Sequence, residues 1–355
     1  MASLKIWLIR LRPIIAALLG LSLGIGITAL AGESPAHVVA VLVKSALGSP
    51  YDLGMTLFYT TPLVFTGLSV AMAFQCGLFN IGAEGQLAMG ALWAAVLGIV
   101  MPGLPGFVAP VFAVLACILG GAAWGAIPGW LRAKRGSHEV INTIMMNFVS
   151  AGVCSYVTLY VFRNTEGQNP ETLPIAAAYQ LSQFSSFGGA PVSWALILAV
   201  LVWAGCIVFL RKTRLGFQLM SVGENESAAE ASGISSPKMR ILAMAIAGGL
   251  AGLVGVGEVL GNAHKFKMGF SADFGFIGIA VALLARGRPE GVLPSAFLFG
   301  ALHKGTADLD FETTHVTREL ALILQALVIL SVSADGLWDW MNRIGVKKRT
   351  GKAAS

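Results

Sequence analysis

Hydrophobic residues occur in long runs along this chain, separated by short polar segments. Uncharged stretches that can supply membrane-spanning helices occupy 13–32, 53–83, 85–131, 140–162, 191–210, 241–257 and 320–334. A helix needs about 20 mostly apolar residues to cross a bilayer. The 85–131 run is too long for one crossing, and a Pro- and Gly-rich turn at 102–106 interrupts it. The pattern therefore predicts two spans there, at 85–101 and 107–131.

Two shorter apolar pieces, 274–285 and 291–302, flank a charged turn at 286–290. Their length predicts short or half-membrane helices packed inside a bundle. With both included, the chain has about ten membrane segments. A β-barrel is excluded, because its strands would alternate polar and apolar residues over about ten positions. We therefore expect an all-α, polytopic membrane protein in which residues 1–355 form a single transmembrane domain.

Composition agrees with this pattern. Charged residues make up 12% of the chain and hydrophobic residues 56%, and the mean hydropathy is +0.76. A soluble domain usually carries about twice that share of charge. A disordered chain would combine low hydrophobicity with high charge. Both classes are excluded.

The distribution of Lys and Arg predicts the orientation, since cytoplasmic loops carry an excess of both residues. With the N-terminus inside and ten segments, 18 Lys and Arg residues lie on the cytoplasmic side and 6 lie outside. Both termini and the 211–240 loop are then cytoplasmic, and the 163–190 loop is external. The basic net charge is accounted for by this topology, so it does not indicate nucleic-acid binding.

A cleavable signal peptide is the alternative interpretation of the first 31 residues, because Ala29-Leu30-Ala31 resembles a small-residue cleavage site. Its apolar core would be longer than the roughly 7–15 residues of a signal peptide. We therefore expect an uncleaved first span.

No pattern typical of catalysis, metal binding or nucleotide binding occurs in the sequence. The four Cys and five His are scattered, without the spacing of a zinc site. The P-loop pattern G-x-x-x-x-G-K-[ST] is absent. We expect no enzyme activity and no cofactor on this chain, and if ATP drives the protein, ATP and Mg²⁺ must bind to another chain.

The segment Gln75–Gln86 is unusually polar for its position between two apolar runs. It contains Asn80, Glu84 and Gln86 together with three glycines, and it lacks Lys and Arg. Polar, non-helical backbone at membrane depth is tolerated where it lines a cavity or is buried in protein, and ionisable groups there are candidates for function. An ordinary turn at the lipid boundary is the alternative.

Within the 211–240 loop, the sequence predicts a two-turn helix. Asn225 is a good N-cap, Gly233 suits a left-handed helix end, and Pro237 follows. A helix this short is unstable in water alone. It therefore needs a binding groove, the alternative being a solvated surface helix.

Four segments resemble the membrane permease subunits of bacterial ABC importers. They are 79–86, 139–147, 223–234 and 279–284. The family includes the ribose and branched-chain amino-acid permeases, and the branch that takes up nucleosides or simple sugars is most similar. The resemblance runs from about 55 to 335 and is weakest at the N-terminus and in the 163–190 loop.

The candidates for the substrate pathway come from the polarity of the 75–86 segment and of the fifth span, not from the resemblance; they are Asn80, Glu84, Gln86, Asn142 and Asn147. The resemblance implies roles for other residues. The short cytoplasmic helix would dock into a separate ATPase subunit through Gly223, Glu224, Asn225, Ala228, Ala229 and Gly233. Asn142 and Asn147 are five residues apart on one helix, so they do not share a face and at most one points fully into the pathway.

The resemblance also implies partners: an ABC ATPase, a second permease copy or related chain, and an external solute-binding protein, in the bacterial cytoplasmic membrane. Amides and one carboxylate suit a neutral solute, and the 79–86 segment favours nucleosides over simple sugars or branched-chain amino acids. An ion-coupled secondary transporter is a further alternative. It would usually carry several intramembrane carboxylates, whereas this chain offers Glu84 and Glu258.

Overall fold

The computed structural model describes residues 2–314 and 316–333. This part of the chain is mostly helical, with isolated β-bridges and no strand. The α-helices are α1 (Ala2–Leu30), α2 (Pro35–Leu47), α3 (Pro50–Phe74), α4 (Ala83–Val100), α5 (Ala109–Arg135), α6 (Glu139–Tyr156), α7 (Trp194–Lys212), α8 (Arg214–Glu224), α9 (Glu226–Ala231), α10 (Ser236–Gly252), α11 (Phe274–Leu284), α12 (Pro289–Glu312) and α13 (Arg318–Ser333). There are also two π-helical segments. One extends α6 at Val157–Val161, and the other follows α10 at Val256–Ala263.

Six helical segments in the described residues are long and apolar enough to cross a membrane. They are Pro50–Phe74, Ala83–Val100, Ala109–Arg135, Glu139–Val161, Trp194–Lys212 and Ser236–Ala263. Shorter apolar helices occupy Ile15–Leu30, Pro35–Leu47, Phe274–Leu284 and Leu322–Val332. The expectation of an all-helical, multi-pass membrane protein is confirmed. The number of about ten segments stays a prediction.

The helix predicted at 291–302 is longer in the structure. α12 has 24 residues, because it continues past the charged positions that end the apolar run. Lys304, inside this extension, lies 3.7 Å from the carboxylate of Asp52. Ion pairing of this kind lets a charged residue remain buried in a helix. An apolar run ends where the charged residues begin, so the hydropathy pattern underestimates the length of α12.

The chain divides into two compact units. The described residues of the first are 2–41, 306–314 and 316–333, and in it α1 packs closely on α13. A Cβ added to Gly20 would lie 2.6 Å from the Cα of Val328, and one added to Gly24 would lie 2.7 Å from a side-chain carbon of Leu324. The four-residue glycine spacing in α1 therefore permits the close helix contact that such spacing predicts.

The second unit, residues 42–305, contains the remaining spans. Its tightest contact joins α5 and α10, where glycine faces glycine. A Cβ on Gly121 would lie 2.2 Å from the carbonyl oxygen of Gly248, and a Cβ on Gly252 would lie 2.2 Å from that of Cys117. No side chain fits at these distances, so the backbones of α5 and α10 are in direct contact.

Gly248→Ala is expected to destabilise the folded protein by about 1–3 kcal/mol, the usual cost of overpacking a tight core. The added Cβ would lie 2.2 Å from the Gly121 carbonyl oxygen, so a helix backbone must shift. Thermal unfolding in detergent measures this loss. Gly205→Ala is the matched control, because nothing lies within 4 Å of the Cβ it adds. Equal unfolding temperatures for the two variants would contradict the packing assigned to Gly248.

Candidate functional site

The turn between α3 and α4 is polar and buried. Asn80 is fully buried and Gln86 is 1% exposed. Their amides pair reciprocally: Asn80 Nδ2 donates to Gln86 Oε1 at 2.8 Å, and Gln86 Nε2 donates to Asn80 Oδ1 at 3.0 Å. Asn80 also donates to Ser69 Oγ and accepts from the backbone N–H of Gly82, each at 3.1 Å. An amide has two donor hydrogens and two acceptor lone pairs, so the hydrogen-bonding capacity of Asn80 is used within the turn.

Asn80→Ala is expected to destabilise the protein, because the Gln86 amide would lose both partners in a dry site. An unsatisfied buried polar group costs about 1–3 kcal/mol. Thermal unfolding in detergent again measures the change. Asn169→Ala is a suitable control, since Asn169 is exposed in the 163–190 loop. Unfolding of Asn80→Ala at the wild-type temperature would show that the amide pair contributes nothing to the turn.

Glu84 lies in the first turn of α4, where the helix dipole favours a carboxylate. Its Oε2 accepts a hydrogen bond from the backbone N–H of Gly275 at 2.8 Å. Ser271 lines the same cavity as Glu84. A Cβ on Gly275 would lie 2.4 Å from the Glu84 backbone nitrogen. Glu84 therefore joins the start of α4 to the start of α11, across nearly two hundred residues of sequence.

The two asparagines of α6 have different surroundings. Asn147 Nδ2 donates to the carbonyl of Ile81 at 3.0 Å, and its Oδ1 accepts from the backbone N–H of Gly85 at 2.9 Å. Asn142 instead donates to Ser137 Oγ at 2.7 Å. The structure therefore brings Asn147 together with the 80–86 segment, whereas Asn142 bonds to the segment before α6.

A cavity of about 180 Å³ lies between α4, α6 and the 264–273 loop. Of the residues predicted for the pathway, Glu84 and Asn147 line it, and Asn80, Gln86 and Asn142 do not. The complete lining is Glu84, Gly85, Ala88, Asn147, Ser150, Ala151, Cys154, Ser155, Phe266, Met268, Gly269, Phe270 and Ser271. The cavity thus combines a polar wall on the two helices with an aromatic wall on the loop.

Sequence reasoning missed several of the lining residues. On α6, small and polar residues recur at 147, 150, 151, 154 and 155, which is helical spacing along one face. This stripe could have predicted that one face of α6 lines the cavity. For the aromatic residues of the 264–273 loop the sequence offered no signal, because nothing in the local sequence places them against α6.

The 264–273 loop is bound to the 163–190 loop. The N–H of Thr172 donates to the carbonyl of Phe266 at 2.9 Å, and the N–H of Phe266 donates to Thr172 Oγ1 at 3.0 Å. Next to this contact, Lys265 Nζ pairs with Glu171 Oε1 at 2.7 Å. The hydrogen bond from Lys265 lowers the pKa of the Glu171 carboxyl below its usual value. The 163–190 loop therefore holds the segment that forms one wall of the cavity.

The short helix predicted in the 211–240 loop is confirmed as α9, and α8 precedes it. Asn225 caps α9 by accepting a hydrogen bond from the N–H of Ala228 at 3.0 Å. After α9, Gly233 adopts a φ of +82°, the left-handed conformation that glycine permits. An ion pair of 2.7 Å joins Glu226 of α9 to Arg240 of α10.

The two alanines in the middle of α9 differ in exposure. Ala229 is 4% exposed and packs in an apolar cluster with residues of α3, α8 and α10. Ala228 is exposed. The small-residue face predicted to contact a partner is therefore partly used by the chain itself. Of the six predicted coupling residues, Gly223, Glu224, Asn225, Ala228 and Gly233 are exposed.

The 211–240 loop directly contacts the turn that leads to Glu84. A Cβ on Gly223 would lie 2.2 Å from the carbonyl oxygen of Gln75. Gln75 Nε2 in turn donates to the carbonyl of Gly287 at 2.6 Å. Cys76 shares the apolar cluster of Ala229, and burial raises the pKa of its thiol to about 11. Gly223 at the end of α8 and Ala229 of α9 therefore both lie against the 75–82 turn.

Glu258, the second carboxylate of the apolar runs, lies in the π-helical segment after α10. It is buried and is paired with the amide of Asn262 at 3.4 Å. It does not line the cavity at Glu84.

Comparison with known proteins identifies the family. Residues 53–333 match the family described as "Branched-chain amino acid transport system / permease component". The guanosine ABC transporter permease protein NupP of Bacillus subtilis is 35% identical over 331 residues, which cover 92% of this chain and 93% of that protein. The nucleoside ABC transporter permease protein NupB of Lactococcus lactis is 34% identical, over 93% of this chain and 92% of its own length. The glucose ABC transporter permease protein TsgB13 of Haloferax volcanii is 32% identical, over 91% of this chain and 87% of its length. The chain therefore belongs to the family of permease components of the branched-chain amino-acid transport system.

Proposed function

We propose that this chain is the membrane-spanning subunit of an ATP-driven importer, and that it moves nucleosides into the cytoplasm. The observation that carries this proposal is similarity along nearly the whole chain to two permeases named for guanosine and nucleosides. The cavity at Glu84 supports it, because polar and aromatic walls together suit a polar heterocyclic solute. The chain itself is a transport subunit without enzymatic activity.

The proposed complex contains three further components. An ATPase subunit binds and hydrolyses ATP with Mg²⁺, and no cofactor is expected on this chain. A second permease, a copy or a related chain, completes the pathway through the membrane. A solute-binding protein outside the cell delivers the nucleoside. The exposed face of α9 is the proposed ATPase contact, because the other side of this short helix packs in the cluster that includes Cys76 of the turn leading to Glu84.

We place the protein in the bacterial cytoplasmic membrane with about ten membrane segments and both termini inside. The six long apolar helices and the shorter ones supply enough segments for this arrangement. The excess of Lys and Arg supports the orientation, with 18 on the cytoplasmic side and 6 outside. The 163–190 loop then faces the binding protein, and the 211–240 loop faces the ATPase.

This topology predicts the outcome of cysteine labelling. Asn169→Cys should react with a membrane-impermeant maleimide in intact cells, and Ser227→Cys should react only after the membrane is opened. Both positions are exposed in the structure, so burial does not protect either of them. The four native cysteines are buried and provide a low background. Labelling of Ser227→Cys but not Asn169→Cys in intact cells would reverse the proposed orientation.

Uptake competition tests the solute. Cells that lack other nucleoside carriers and express the complete transporter should accumulate radiolabelled guanosine. Excess unlabelled nucleosides should reduce this uptake, whereas ribose and leucine should not. Competition by leucine alone would assign the chain to amino-acid transport and overturn the proposal.

A simple sugar is the second candidate solute, because the glucose permease of Haloferax volcanii is also similar along most of the chain. The aromatic wall of the cavity favours a heterocycle over a sugar, since a base offers a flat face for stacking. Guanosine and glucose in the same uptake assay distinguish the two solutes, and uptake of glucose without guanosine would favour the second.

A further inference from the structure

The cavity at Glu84 can be assigned more closely than as part of a pathway, because its size limits what it can hold. An apolar cavity of about 150 Å³ is sufficient for benzene. A volume of about 180 Å³ therefore accommodates one ring system of a nucleoside, and because the cavity is open on one side the ribose can lie outside it. The ligand that fits is a heterocyclic base.

The polar groups of the cavity offer acceptors rather than donors. The hydroxyl of Ser150 donates to the carbonyl of Asn147, and that of Ser155 donates to the carbonyl of Ala151, each at 2.7 Å. A serine hydroxyl has one hydrogen and two lone pairs. With the hydrogen engaged in the helix, each of these serines presents lone pairs to the cavity.

Glu84 adds acceptors of the same kind. Its Oε2 receives a hydrogen bond from the backbone N–H of Gly275. Two carboxylate oxygens together accept about four hydrogen bonds, so further lone pairs remain for a ligand. Two parallel N–H donors on one edge of a ring match a carboxylate, and guanine carries such a pair at N1 and N2.

The opposite wall is aromatic. Phe266 and Phe270 pack edge to face, with ring centroids 5.5 Å apart. Phe266 is buried and Phe270 is partly exposed at the cavity. Any base can gain affinity by stacking on such a side chain, because every base has a flat aromatic face. Phe270 is therefore the residue placed to stack.

The lining also disfavours phosphorylated solutes. Among the described residues that line the cavity, none is Lys, Arg or His. Binding sites for phosphate usually supply cationic side chains or a set of backbone N–H groups. The cavity therefore lacks the cationic side chains that would hold a phosphate group.

We propose that the permease chain itself contains a nucleobase subsite at Glu84, an inference that rests on the proposed function. Phe270 stacks on the base, and the acceptors of Glu84, Ser150 and Ser155 select bases with N–H donors, guanine in particular. The ribose remains at the mouth, and nucleotides are rejected. Selection of the solute is thus shared between the external binding protein and the membrane subunit.

Binding of tritiated guanosine to the purified full-length chain, without ATPase or binding protein, tests this subsite. On the wild type, 1-methylguanosine should compete at least about tenfold more weakly than guanosine, because methylation replaces the N1 donor and leaves an acceptor unpaired. Guanosine monophosphate should compete more weakly than guanosine. Equal competition by 1-methylguanosine would overturn the assignment of an acceptor-lined site, and this comparison requires no variant to fold.

Phe270→Leu should weaken guanosine binding by about fivefold or more, as expected for loss of base stacking. Phe148→Leu is the matched control on α6, since Phe148 is 70% exposed and outside the cavity lining, and it should bind like the wild type. Equal affinities for the two variants, or no binding by the wild type at millimolar guanosine, would overturn the subsite. If the subsite fails either test but the complete transporter still takes up guanosine with ATP, the proposed function stands. If the chain binds guanosine but the transporter shows no ATP-dependent uptake, only the proposed function is refuted.

Discussion

Ala228→Arg is expected to abolish ATP-driven uptake while the permease reaches the membrane in normal amounts. Ala228 is exposed on α9, so an arginine there does not disturb the chain's own packing. In the complex, the proposed ATPase groove would have to bury a long charged side chain without a partner, which costs several kcal/mol. Co-purification of the ATPase measures the loss directly.

Ala228→Ser is the control for this substitution, because it keeps the side chain small and neutral, and it should retain uptake and ATPase binding. Ala229→Arg should give a different defect. Ala229 is buried against α3, α8 and α10, so an arginine would displace α9 and lower the stability of the permease itself. If Ala228→Arg still co-purified with the ATPase and supported normal uptake, α9 would be a solvated surface helix.

Glu84→Ala is expected to reduce the rate of guanosine uptake by about tenfold or more. The substitution removes an acceptor from the cavity and leaves the N–H of Gly275 without its partner. Hydrogen bonds to charged groups contribute about 1.5–3 kcal/mol, and 1.4 kcal/mol corresponds to a factor of ten. Initial uptake rates in cells, normalised to the amount of permease in the membrane, measure the effect.

Glu84→Gln should give an intermediate rate, because the amide oxygen can still accept from Gly275 but the second carboxyl oxygen is lost. Glu312→Gln serves as the control, since this carboxylate is exposed at the end of α12. Wild-type uptake by both Glu84 variants would remove Glu84 from the pathway.

The sequence predicts the spans well because the bilayer imposes a simple rule on them. Long uncharged runs give α4, α5, α7 and α6 with its π-helical extension nearly at their observed bounds. The 53–83 run, in contrast, continues well past Phe74, where α3 ends. Glycine spacing predicts close helix contacts, and the structure has them at Gly121 and Gly248. The rule does not apply where buried charges are paired, as at Lys304 in α12.

The candidate site is predicted only in part. The polar 75–86 segment marks Glu84, and Asn225 with Gly233 marks α9, because both signals are local in sequence. The boundary of α4 is less evident: the helix begins at Ala83, so Glu84 and Gln86 lie in its first turn rather than in a loop. The wall formed by the 264–273 loop depends on contacts such as that of Phe266 with Thr172, 94 positions away, and local patterns do not encode such contacts.

The orientation of α9 shows a second limit of local patterns. Helical spacing indicates that α9 has a small-residue face, but it does not say whether the chain or a partner covers that face. In the structure, Ala229 is buried against other residues of the chain, and Ala228 is exposed. The distinction changes the design of the coupling experiment, because substitutions at adjacent alanines test different contacts.

The source of energy is the central claim, and uptake into proteoliposomes tests it most directly. Vesicles would contain this chain with its co-purifying ATPase, the binding protein would be added outside, and guanosine accumulation would be followed with ATP or ADP inside. Accumulation that requires ATP and continues when ionophores dissipate the ion gradients is the predicted result. Accumulation that follows an imposed H⁺ or Na⁺ gradient without ATP would identify an ion-coupled carrier and contradict the account.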